Sequence, residues 1–219
     1  MSHVANPLYT LTVLVLAFSD GFIIMSIELL GGRILAPYFG SSIYVWGSVI
    51  TVFMLSLSVG YLTGGHLSLR QPNLSKYGII FLVAGIALWP TILLSDDIMN
   101  WVFLHYEDPR YGSLLASALL FFVPTAVMGM IAPYSVRLLV DQAEHSGRVA
   151  GSLYFVSTLG SALGTLATSF YLVAWFEIND ILITMSLTLT GGACVAWLAA
   201  RLTGGRNETR LSANGESVS

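Results

Sequence analysis

Charge is what this chain has least of. Of its 219 residues only 10% are charged, 9 Lys or Arg against 12 Asp or Glu, while 55% are hydrophobic and the mean hydropathy is +0.77. So few charged groups cannot cover the surface of a water-soluble globule, which places the chain in a bilayer. The net charge of -3 leaves no basic stripe for a nucleic-acid partner, and none is expected. Cysteine is scarcer still. The single Cys194 excludes an internal disulfide and, inside an apolar run, reads as a small buried hydrophobe rather than a reactive thiol. Histidine is thinly scattered: His66, His105 and His145 fall near different span ends and His3 in the amino-terminal tail. No pair has metal-ligand spacing, no nucleophile stands beside a base, and no glycine-rich nucleotide loop follows a strand. Neither a catalytic centre, a metal site nor a cofactor is expected.

Long apolar runs are abundant. Six of them, 8–30, 43–69, 77–95, 113–140, 149–176 and 181–201, approach or exceed the roughly 20 residues that a helix needs to cross a hydrocarbon core. The predicted fold is all-α and integral to the membrane: a six-helix domain over 1–202 in contact with lipid, then a tail over 203–219 whose polar, aperiodic composition predicts disorder. With a cytoplasmic amino terminus the inner segments carry Arg70, Lys76, Arg137, Arg148, Arg201, Arg206 and Arg210, the outer ones only Arg33 and Arg110. The positive-inside rule therefore puts both termini in the cytoplasm. The outer side then gathers Asp96, Asp97, Glu107, Asp108, Glu177 and Asp180. That acidity either attracts cations or simply reflects the exclusion of Lys and Arg from that side. Trp89, Trp101 and Trp175 fall near outer span ends and read as interface anchors.

Shifting the chain by 104 residues lays Gly47 on Gly151, Gly60 on Gly164 and Arg33-Ile34-Leu35 on Arg137-Leu138-Leu139. Spans one to three then fall on spans four to six, and because three is odd the second copy is inverted, the 3+3 construction of transporter halves. Gly47, Gly60, Gly64 and Gly65 in span two, with Gly151, Gly160 and Gly164 in span five, let backbones approach closely, either within the chain or across a dimer.

Two acidic residues lie in the first span. A carboxylate at mid-bilayer costs about 2.5–3.5 kcal/mol on insertion scales, so Asp20 and Glu28 need compensation. On one helix they stand about 80° apart and about 12 Å apart along the axis, able to edge one cavity but not to share a proton. Arg33 offers Glu28 an ion pair across Gly31-Gly32, a pair expected to end or bend the helix, and Pro37 is expected to turn the chain at the outer face. Pro133, before Arg137 in the corresponding place, is expected to break a span already weakened by Pro124. Pro-interrupted spans at matching places in two repeats point to a binding site; equally, such prolines kink helices for packing. Tyr44, Trp46, Tyr154 and Thr158 complete the candidate lining, since aromatic faces beside a carboxylate suit an organic cation; the same aromatics also serve as interface anchors.

The run from Glu28 to Trp46, ELLGGRILAPYFGSSIYVW, resembles the first membrane signature of the fused major-facilitator/spermidine-synthase proteins, as do Met128 to Arg137 and Ser146 to Ser161. The resemblance implies a membrane module like half of a major-facilitator transporter, in a prokaryotic cytoplasmic membrane. Such modules are commonly joined to an aminopropyltransferase-like domain, for which these residues leave no room. Leu69, ahead of Arg70, stands where transporters of this kind carry an acid, which puts the usual gating ion pair in doubt. The function implied is binding and transport of a polyamine or similar organic cation, by one copy or a homodimer. The alternative is a membrane subunit that anchors a separate soluble partner such as an aminopropyltransferase.

Overall fold

The computed structural model describes residues 7–106, 108–140 and 146–215, with 204–215 as backbone alone. Among them every regular element is helical, and six spans are long and apolar enough to cross a membrane: Pro7–Phe39, Ile43–Ser68, Leu74–His105, Pro109–Leu139, Ser146–Trp175 and Ile178–Thr203. The first two are single helices, α1 (Pro7–Phe39) and α2 (Ile43–Ser68). The third is α3 (Leu74–Ala87) followed by α4 (Trp89–His105), and the fourth α5 (Pro109–Gly129) followed by α6 (Ile131–Leu139). The fifth joins α7 (Ser146–Ala167) through a π-helical turn, Thr168–Leu172, to the short α8 (Val173–Trp175). The sixth belongs to α9 (Ile178–Gly215), whose backbone stays helical into the stretch expected to be disordered; 216–219 lie outside the described residues. Six crossings put Pro7 and Thr203 on one face, the terminal face, and Phe39, His105 and Trp175 on the opposite one.

Two local expectations are corrected. Gly31-Gly32 neither ends nor breaks α1, and Pro37 lies inside it. A glycine pair is weak only where nothing packs on it. Here Gly31 faces Phe121 and Gly32 lies under the Trp46 indole, both closer than a Cβ would comfortably allow. Pro37 forfeits the backbone bond to the Arg33 carbonyl, and the helix carries on for only two residues beyond it, to Phe39. The chain turns at Gly40 instead, whose φ of +76° suits glycine and whose N–H donates to the Ala36 carbonyl at 2.9 Å. In the fourth span the interruption expected near Pro133 falls at Met130, which leaves Pro133 in the first turn of α6, where a missing N–H costs least.

Tight seams hold the helices together: α1 packs on α7, α2 on α5 and α3 on α9. In the first, Gly160 and Gly164 lie so close to the Phe18 and Phe22 carbonyls that a Cβ at either would overlap them. In the second, Gly60 meets the Ala126 carbonyl in the same way. The third rests Gly78 on the Trp197 indole, whose Nε1 donates to the Ser75 carbonyl at 3.0 Å, while Ser186 Oγ donates to the Gly85 carbonyl at 2.9 Å. Without a hydrophobic force between helices in lipid, such close approach gains dispersion contacts. Cys194, expected to be buried, is exposed on α9 and so faces outward. Trp89 sits at the α3–α4 junction rather than at a span end, because the helix runs on past Asp96 and Asp97 to His105.

Candidate functional site

The turn of α1 that carries Asp20 is pinned in place by its neighbour. Gly21 abuts the Ser157 carbonyl of α7, and Ser161 Oγ donates to the Gly21 carbonyl at 3.2 Å. Ser26 Oγ donates to the Gly164 carbonyl at 3.3 Å one turn further on. Asp20 is thereby fixed beside the helical turn that bears Thr158. It is 3% exposed, and Oδ1 is buried without a hydrogen-bond partner among the described residues. A polar atom left so costs about 1–3 kcal/mol relative to a satisfied one.

The phenols of Tyr61 on α2 and Tyr77 on α3 lie within electrostatic range of the Asp20 carboxyl, and Tyr154 on α7 within range of Tyr61. Tyr61 is half-exposed, as is Tyr154, and Thr158 is exposed one turn beyond it. Tyr61 on α2 and Tyr154 and Thr158 on α7 are thus exposed polar groups on the two least covered spans. Tyr61 was not foreseen from sequence. Its signal is a tyrosine about two turns inside the span, where an interface anchor has no reason to be.

Glu28 is half-buried and has no hydrogen bond or ion pair among the described residues. Arg33 is exposed and does not pair with it. Because α1 continues through Gly31-Gly32, residues five apart point about 140° away from each other, so the ion pair open to the sequence cannot close. Trp46 does approach this region, its ring lying on Gly32, one turn from Glu28. Tyr44 does not: it is exposed beneath the Arg110 guanidinium, 4.6 Å from the ring centroid, in a cation–π contact at the far face. Pro37 and Arg137 are exposed, and Pro133 is half-buried.

On the terminal face the α2–α3 loop is held without an ion pair. Lys76 Nζ donates to the Arg70 and Gln71 carbonyls at 2.6 and 3.2 Å, and Asn73 Oδ1 accepts from the Lys76 N–H to cap α3. Arg70 itself is exposed. Leu69, standing where an acid was expected, caps α2 through backbone bonds alone. Behind the loop Tyr77 stacks on Tyr134 at 5.8 Å between centroids, Tyr77 Oη and Ser135 Oγ are 2.6 Å apart, and Tyr134 Oη accepts from the Asn73 N–H at 3.2 Å. Among the described residues no cluster of His, Cys, Asp and Glu could hold a metal ion. Comparison with protein-family models, curated proteins and solved structures gives no match to the chain.

Proposed function

We propose that the chain is a membrane-embedded binding and transport module for a polyamine or similar organic cation, built as a 3+3 inverted repeat like half of a major-facilitator transporter. The repeat is supported by a correspondence between seams. The shift of 104 residues carries the Gly60–Ala126 contact onto Gly164–Phe22, turning the α2–α5 seam into the α7–α1 seam, while α3–α9 maps onto itself. Packing partners that exchange under one shift are what an inverted repeat requires.

The observation that carries the ligand class is the buried, unpartnered Oδ1 of Asp20, with Tyr61, Tyr154 and Thr158 exposed on α2 and α7 and Glu28 unpaired further along α1. Carboxylates retained in a span without a protein counter-charge are explained by a guest that supplies one, and phenolic walls favour a cation. Exposed Arg70, Arg137, Arg148 and Arg201 on the terminal face support a cytoplasmic location for it, in a prokaryotic cytoplasmic membrane. The uncovered outward sides of α2 and α7 would meet in a homodimer centred on Tyr61, Tyr154 and Thr158. Uptake of radiolabelled spermidine into vesicles containing the protein should fall at least tenfold in Asp20→Asn and measurably in Glu28→Gln. Uptake equal to that of the parent in both variants would reject the reading. The same exposed arginines favour a second reading, a membrane subunit that docks a soluble partner; recovery of a stoichiometric partner in mild detergent, together with absent uptake, would select it.

A further inference from the structure

A cavity of about 350 Å³ lies between α1, the π-helical turn and α9. Its walls are mostly apolar, led by Phe18, Phe22 and Phe176, and the carboxylate-bearing Asp180 stands among its lining residues. Asp180 is in the first turn of α9, exposed, at the far-face end of the span where Trp175 and Phe176 mark the headgroup level. Apolar depth with a charge at its headgroup end is the outline of an amphiphile.

The polar lining residues decide the sign of that amphiphile. Ser19 Oγ donates to the Val15 carbonyl at 3.0 Å, Thr184 Oγ1 to the Asp180 carbonyl at 2.8 Å and Thr188 Oγ1 to the Thr184 carbonyl at 2.7 Å. A hydroxyl has one proton to give. With all three protons committed to backbone, these hydroxyls can offer a ligand only lone pairs, and the carboxylate likewise only accepts. Side chains that are all acceptors disfavour an anion and reward a group rich in N–H donors. Phenylalanine faces add attraction for a positive charge. The size is that of a small-molecule site.

We infer that this crevice binds the protonated primary amine of an amphiphile, its ammonium on Asp180 and its apolar body between Phe18, Phe22 and Phe176. The inference concerns binding and stands whether or not the chain transports anything. The ammonium could belong to a free lipophilic amine or to a phosphatidylethanolamine headgroup.

The test uses the full chain in nanodiscs of phosphatidylglycerol and a dansyl-labelled alkyl primary amine, with its uncharged N-acetyl analogue as control. The amine should bind at least tenfold more tightly than the analogue. Asp180→Asn should remove that advantage without altering binding of the analogue, and Asp180→Glu should restore it. Thr188→Phe, which fills the crevice, should weaken both probes. Displacement by added phosphatidylethanolamine would assign the site to that headgroup, and no displacement would assign it to a free amine. Equal affinity for amine and analogue, or an Asp180→Asn chain that still prefers the amine, would overturn the inference.

Discussion

The α3–α9 seam and the α1–α7 seam are both built from small residues pressed against a neighbouring helix, yet they treat polar atoms in opposite ways. Along α3–α9, Ser186 and Trp197 find carbonyl acceptors, and no buried side-chain polar atom of either helix is left unpaired among the described residues. Along α1–α7, Ser26 and Ser161 are equally well placed, but Asp20 Oδ1 is not satisfied. A seam that only had to hold would have no reason to keep a buried carboxyl. The difference lies in whether the buried polar atoms at the seam find acceptors.

That contrast can be broken in order of effect. Gly164→Val should be the most damaging change, because its side chain meets the Phe22 carbonyl, which belongs to a backbone that cannot move alone; a loss of about 3 kcal/mol or more is expected. Gly78→Ala, a smaller change in the other seam, meets the Trp197 indole first and the Ala193 carbonyl only at 3.1 Å, and should cost about 1 kcal/mol. Thermal unfolding in detergent measures both, and equal losses would erase the distinction. Asp20→Leu should raise stability, by about 1–3 kcal/mol, while abolishing uptake, since it removes an unsatisfied buried group. A fall in melting temperature would mean that Asp20 is structural after all. Ser186→Ala should cost about 1 kcal/mol through one lost hydrogen bond, with uptake unaffected. The smallest effect belongs to Gly151→Ala. Nothing lies within 4 Å of a Cβ there, so the monomer should gain at most about 1 kcal/mol; a loss of self-association in crosslinking would place Gly151 in a homodimer interface.

Much of the scaffold was legible along the chain. Each of the six apolar runs falls in one of the six spans, with ends displaced where polar residues such as Asp96 and Asp97 continue a helix outside the hydrophobic run. Gly31-Gly32 was misread because local rules weigh backbone cost without the ring that covers a glycine, and Pro37 because the helix ends only two residues after it. Of the candidate site, Asp20, Glu28, Tyr154 and Thr158 were identified from their cost or spacing. The link through Tyr61 was not, since it joins α2 to α1 and α7 across more than 40 positions of sequence.

The order of residues by itself determined that this chain has six segments long and apolar enough to cross a membrane and where its acidic residues stand along α1, because hydropathy and helical rise are properties of each segment alone. Which carboxyl is left without a partner depends on what the other helices bring beside it. Asp20 Oδ1 is buried without a partner where Gly21, Gly160 and Gly164 let α7 close over that turn, and Glu28 misses Arg33 because α1 stays helical through Gly31-Gly32. Those outcomes rest on contacts between residues far apart in the chain, and tertiary structure alone decided them.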